Sequence, residues 1–229
     1  MSSIVGNFAQ VRAQIAAACA AAGRRAEDVE LVAVSKRHPV EAVEAAFATG
    51  QRVFGENRVQ ELAAKAAGIA AGPGLQWHLI GSLQTNKVRD LVRVPGLSLV
   101  HSCDRKKLAG ALQRELGARA APLGVLLQVN ATGEAQKHGC PVEEAAALLD
   151  YVIADCPSLA VHGLMAMGPL EGAARPVFER VAALREDLRR RSGLDLATLS
   201  MGMSGDLNDA IAAGSTMVRV GTALFGPRS

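Results

Sequence analysis

The sequence predicts an α/β protein: one closed (β/α)8 TIM barrel with an extra N-terminal helix. Three observations carry that reading. Short runs rich in Val, Leu and Ile alternate with longer Ala/Leu/Glu/Arg segments of helical periodicity, about eight times along the 229 residues. Such alternation requires a parallel sheet, because each crossover helix returns the chain to the same strand direction, and eight units close into a barrel. The competing open doubly wound sheet would carry G-x-G-x-x-G after its first strand, and none follows Leu31 to Val34.

Taken in order, Ser3 to Ala22 reads as a helix with no strand before it. Only "GTALFGPRS" follows Val220, so this N-terminal helix is expected to supply the packing layer that the last unit lacks. Strands are expected over Leu31 to Val34, Arg52 to Phe54, Gln76 to Ile80, Leu97 to His101, Gly124 to Asn130, Leu159 to Leu164, Leu196 to Ser200 and Thr216 to Val220. Between them, helical periodicity marks Pro39 to Thr49, Glu56 to Ala70, Thr85 to Arg93, Arg105 to Leu116, Val142 to Ala154, Ala174 to Arg191 and Leu207 to Ala213.

No Ser/Gly/Pro linker or charge block divides the chain, so residues 1–229 read as one domain, with 1–29 as lead-in and 30–226 as barrel. Although 49% of residues are hydrophobic, no apolar run reaches the roughly 18 residues of a membrane span. The first residues, "MSSIVGNFAQ", lack the basic and apolar regions of a secretory signal, which points to a cytoplasmic protein. Cys19, Cys103, Cys140 and Cys156 are scattered without C-x-x-C or zinc spacing and read as reduced structural thiols. A formal charge of +3, with one Trp and one Tyr, argues against nucleic acid, and Arg185 and Arg189 to Arg191 read as a solvated helix end. The expected partner is a small molecule; a monomer is the expectation, although the sequence is silent on oligomeric state.

A barrel builds its active site at the C-terminal ends of its strands. Those positions hold Lys36, Gly55-Glu56-Asn57, His78 with Gly81-Ser82, His101, Asn130, Met165 to Gly168, Ser200 to Ser204 and Gly221-Thr222. Strand parity puts Val32, Val34 and Lys36 on one face, and Met217, Arg219 and Gly221 on one face, so Arg219 is expected to point into the barrel. A buried guanidinium needs an acceptor; a structural pair with Asp or Glu is the plain alternative. In "SMGMSGD" and "VGTALFG", glycine and hydroxyl residues precede helical sequence, which makes Ser204, Gly221 and Thr222 candidate phosphate ligands, ordinary N-capping being the alternative. Lys36 alone would pass for a solvated cap. Beside a second cation and opposite a phosphate site it reads as an amine that forms Schiff bases with a phosphorylated aldehyde.

The blocks "AVSK" (Ala33 to Lys36), "FGENRVQE" (Phe54 to Glu61), "WHLIGSLQTNK" (Trp77 to Lys87), "GLMAM" (Gly163 to Met167), "LSMGMSGD" (Leu199 to Asp206) and "STMVRVGTALFG" (Ser215 to Gly226) closely resemble the pyridoxal-phosphate homeostasis protein family, often called YggS or PROSC-like. The resemblance implies a barrel of the alanine racemase N-terminal type holding pyridoxal 5'-phosphate as an internal aldimine of Lys36. It implies Arg219 at the pyridine nitrogen and Ser204, Gly221 and Thr222 at the phosphate. Asn57 would lie near the ring, with His78, Ser82 and Met203 lining the pocket. It further implies cofactor supply to apo-enzymes as transient clients, in intracellular homeostasis, without amino-acid turnover.

Two enzyme readings compete. A racemase or decarboxylase of this fold would need a second base, and the sole tyrosine, Tyr151, falls inside a helical segment; Cys103, His101 or Cys140 would have to substitute. A class I aldolase-like enzyme would also use a strand-end lysine and a phosphate site. In "GEAQKHGC" (Gly133 to Cys140), Lys137 could handle a second aldehyde, a solvated loop lysine being the plainer reading. Met165, Met167, Met201 and Met203 read as adaptable packing around the pocket.

Overall fold

The computed structural model describes residues 3–69, 74–117, 121–134 and 136–227. Eight parallel strands close on themselves: β1 (Glu30–Val34), β2 (Val53–Glu56), β3 (Gln76–Leu79), β4 (Leu97–Cys103), β5 (Leu123–Asn130), β7 (Leu159–Met165), β8 (Thr198–Ser200) and β9 (Met217–Val220). The two-residue strand β6 (Cys140–Pro141) adds to the end of β5, outside the ring. The strands are largely apolar on both faces, as burial between a barrel interior and a helical shell demands, with His78, His101, Ser200 and Arg219 as buried polar exceptions. Val32, Val53, Leu99, Leu126, Met165 and Met217 form the inner cluster. Leu31, Ala33, Phe54, Trp77, Val125, Leu164 and Val218 belong to the outer one, against the helices.

Helix α1 (Ile4–Ala21) has the role expected of it. Ser3 caps it by accepting the Gly6 N–H at 3.1 Å. Phe8, Val11, Ile15 and Cys19 form the buried stripe, which packs on α2 (Val40–Ala48), α8 (Leu207–Ala212) and α9 (Thr222–Phe225). Asn7 donates to the Leu224 carbonyl at 2.9 Å, and Arg24 to those of Ile211 at 2.9 Å and Ser215 at 2.7 Å, so α1 seals the seam between last and first units.

Several boundaries differ from the periodicity. Glu56 is the last residue of β2 and completely buried, and α3 (Val59–Gly68) starts three residues later; the proposed end of that helix at Ala70 lies outside the described residues. Thr85 to Arg93 is a 3-10 turn (Thr85–Lys87) followed by the one-turn helix α4 (Val88–Leu91). Leu196 takes a positive φ of 43° before β8, which shortens that strand to three residues. The remaining helices are α5 (Lys106–Leu116), α6 (Ala145–Asp155) and α7 (Arg175–Ser192). No helix among the described residues is long and apolar enough to cross a membrane.

Gly163 shows how tightly the ring closes. Its φ is +153°, and a Cβ there would lie 1.9 Å from the Thr198 carbonyl oxygen on β8, the strand it pairs with. Gly163→Ala should cost about 1–3 kcal/mol, and at roughly 2–4 °C per kcal/mol for a chain of this size the melting temperature should fall accordingly. An unchanged melting temperature would show that the approach of β7 to β8 is not constrained there.

Candidate functional site

β1 and β9 are neighbours in the ring, with Val32 level with Arg219, so Lys36 and the residues after β9 share one part of the rim. A Cβ on Gly221 would sit 3.1 Å from the Val34 carbonyl oxygen, so little beyond a glycine fits where the end of β9 passes β1. On the other side of Lys36, Gly81 comes so close that a Cβ would be 2.2 Å from the Asn57 carbonyl, which presses Asn57 into place. The result is a cavity of about 270 Å³ lined by Lys36, Asn57, Arg219, Ser204, Gly221 and Thr222, with Met203 at its edge. Val34, Ile80, Met165 and Met167 supply apolar walls, and His38 and Gly205 complete the lining.

Arg219 is 5% exposed and points inward as parity requires, and it makes no ion pair with a carboxylate among the described residues. One terminal nitrogen donates to the Ser200 carbonyl and Ser200 Oγ, both at 2.6 Å, and the other to the Ala166 carbonyl at 3.0 Å. The structural ion pair weighed from sequence is therefore not formed. Burial pushes the guanidinium down to about 10, with Asp206 opposing the shift, so it stays charged at neutral pH.

From Ser200 the contacts run on to His101 Nδ1 at 3.0 Å, and from His101 Nε2 to His78 Nδ1 at 3.0 Å. A guanidinium can only donate, and the assignment that also gives the Ser200 O–H an acceptor runs from Arg219 to Ser200 Oγ, from the hydroxyl to His101 Nδ1, and from His101 Nε2–H to His78 Nδ1. Both imidazoles are then neutral. Burial drives His78 down to about 3, and burial together with His78 and Arg219 drives His101 well below its ordinary range.

The two hydroxyl residues are not N-caps. Asp206 occupies that position for α8, its carboxylate accepting the Met203 N–H at 2.6 Å, and Gly221 occupies it for α9. Ser204 and Thr222 thus stay exposed at the cavity wall, neither hydroxyl bonded to another described residue. The helices that follow have six and four residues, too short for a strong macrodipole, so attraction for an anion comes from hydroxyls, local N–H groups and the two cations. No carboxylate is among the described lining residues.

His78 and Ser82 depart from expectation. His78 lies one layer below Ile80 and spends Nδ1 on His101; Ser82 is exposed and outside the cavity lining. His38 and Ile80 were not singled out from sequence. Ile80 was legible by parity from His78; His38, stacked on Phe225 at 5.3 Å between ring centroids, had no periodic signal. Lys137 is not a solvated lysine: its side chain is 8% exposed and its ammonium donates to Glu134 at 3.1 Å and to the Gly168 carbonyl. Cys103 and Cys140 are buried with thiols pushed up to about 12, and Tyr151 lies on α6 with Lys106 over its ring, so none of them offers a base at the cavity.

Residues 8–229 match the alanine racemase N-terminal domain model. A pyridoxal phosphate homeostasis protein of Pseudomonas aeruginosa is 46% identical over 228 residues, covering all of this chain and 97% of the relative. This chain belongs to the pyridoxal phosphate homeostasis protein family. PipY of Synechococcus elongatus, solved with PLP bound, superposes with a TM-score of 0.84 at 36% identity, covering 98% of this chain and all of PipY. Alanine racemase from Corynebacterium glutamicum, at 18% identity and TM-score 0.66, matches 95% of this chain with 60% of its own length and shares the barrel fold.

The neutral histidine pair makes a testable demand. Both folded-state values lie below the ordinary 6.5, His78 at about 3, so the unfolded chain binds more protons between those limits. The stability that depends on neutral imidazoles is complete above pH 6.5 and is lost as pH falls toward 3. His78→Gln should be less stable than the parent at neutral pH and lose less on acidification, so their denaturation midpoints converge in acid. A constant gap would show that His78 does not titrate in this way.

Proposed function

We infer that the chain binds pyridoxal 5'-phosphate covalently through Lys36 and serves its homeostasis and supply to apo-enzymes, without turning over amino acids. The observation that carries this is the pairing, in one cavity with no carboxylate among its described lining residues, of the Lys36 amine with the Arg219 guanidinium and with Ser204, Gly221 and Thr222. That set fits a phosphorylated heteroaromatic aldehyde: an amine for the carbonyl, a donor for a ring nitrogen, and hydroxyl and N–H donors for a phosphate. The Lys36 amine adds to the aldehyde carbon, and the carbonyl oxygen leaves as water. Asn57 and the apolar walls of Val34, Ile80 and Met165 would hold the ring. PipY, solved with PLP bound, supports the assignment.

A bound PLP ring supplies an electron sink for carbanion chemistry. Arg219 weakens that sink, because a guanidinium held by carbonyls and a hydroxyl can only donate to the ring nitrogen and leaves it unprotonated. His38, the remaining titratable group lining the cavity among the described residues, shares the turn that carries Lys36 and is stacked on Phe225. It offers no base from the opposite face, as a two-base racemase requires. Four buried free thiols fit a reducing, cytoplasmic setting for such a carrier.

The purified holo-protein should show a visible band that Lys36→Ala abolishes. It should pass cofactor to an apo-enzyme, in the presence of a PLP trap, faster than cofactor escapes into solution. Amino acids incubated with it should keep their optical activity; racemisation or decarboxylation at enzymatic rates would overturn the non-catalytic reading.

A further inference from the structure

Behind the cavity lies a second buried polar cluster that none of the assigned roles uses. Lys65, on the inner face of α3, has its side chain 7% exposed and its ammonium fully engaged. It donates to the Ser35 carbonyl at 2.7 Å, to Glu56 Oε1 at 2.6 Å and to Glu61 Oε1 at 3.0 Å. Ser35 Oγ donates to the same Glu56 oxygen at 2.7 Å, and Glu61 Oε1 also accepts the Arg37 N–H. Glu56 is completely buried, and its other oxygen has no partner among the described residues.

Three of these contacts hold the residues on either side of Lys36, two of them at the backbone. Ser35 is held by its carbonyl and its hydroxyl; Arg37 is held by its N–H. Arg37 needs holding, because its φ of 63° is in the left-handed region that a side chain with a Cβ enters at a cost. Strain of this kind persists only when the surroundings over-determine it. A buried carboxylate and a buried ammonium, with the half-buried Glu61 beside them, are a costly set, and merely stabilising a strand end would not require them.

We propose that Glu56, Glu61 and Lys65 are positioning residues that clamp the Ser35-Lys36-Arg37 turn in its left-handed form and so aim the Lys36 amine into the cavity. The inference rests on the reading of Lys36 as the covalent cofactor residue. The cluster itself does not touch the cofactor; it acts through the turn. Glu61 holds the strained peptide, Glu56 and Lys65 hold the strand end, and the amine is presented by a backbone that has no slack.

The test follows the growth of the visible band after PLP is added to the cofactor-free protein, together with amide hydrogen exchange at Arg37 in that same form. Glu61→Ala should speed exchange at Arg37 and slow attachment on the order of tenfold, since small misplacements of a reacting group carry penalties of that size or larger. Glu61→Gln keeps an acceptor for the Arg37 N–H and should attach PLP close to the parent rate. Arg37→Gly in the Glu61→Ala background should restore most of the rate, because glycine reaches φ near +63° without help. A merely structural role would not give that rescue. Parent-like attachment in Glu61→Ala, or no recovery in the double variant, would overturn the clamp while Lys36→Ala still abolished the band. A band surviving in Lys36→Ala would remove the underlying reading, and the clamp with it.

Discussion

A positive charge that cannot be discharged sits closed inside the barrel, and much else follows from how Arg219 is satisfied. Carbonyl oxygens of Ser200 and Ala166 and the Ser200 hydroxyl take its protons. A carboxylate would have neutralised it. Without one among the described residues, the guanidinium keeps its charge turned toward the cavity, and hydrogen bonds run on from the Ser200 hydroxyl to His101 and from His101 to His78. The interior therefore contains a directed chain of four polar side chains among Val32, Val53, Leu99 and Leu126, and burial keeps both histidines uncharged.

The closed order of strands does the rest. Residues 36 and 219 are far apart in the chain yet adjacent at the rim, because β9 returns to β1. Close backbone approach is enforced at two glycines that flank the lysine, Gly221 against Val34 and Gly81 against Asn57. Helix α1 seals the seam that this closure creates, through its apolar stripe and the bonds from Asn7 and Arg24. Under the proposed reading, rigidity of the rim matters chemically, since an amine, a donor for a ring nitrogen and a cradle for a phosphate would serve one ligand only while their spacing holds.

Much of this was legible from residue order. Alternation of strand and helix marked the barrel, and period-two parity placed Lys36 and Arg219 on the inward face before any coordinates. Neither a place near a strand end nor a motif block fixes depth, which is why His78 was expected at the pocket yet lies a layer below, bonded to His101. Glu56 looked like the start of an amphipathic helix because its partners, Lys65 and Ser35, meet it only in three dimensions. Lys65 itself hides in an Ala-rich helical pattern where a lysine ordinarily faces water. Lys137 misled for the same reason: loop composition suggested solvent, whereas the Gly168 carbonyl and Glu134 enclose its ammonium. Hydroxyls at Ser204 and Thr222 were equally compatible with capping until Asp206 and Gly221 were found in the cap positions.

The central claim is that Lys36, faced by Arg219, is the residue that bonds the cofactor. Borohydride reduction of PLP-loaded protein, followed by mass spectrometry of its peptides, tests it most directly. The account predicts a single pyridoxyl adduct on the peptide containing Ser35-Lys36-Arg37; an adduct on another lysine such as Lys137, with Lys36 unmodified, would contradict it.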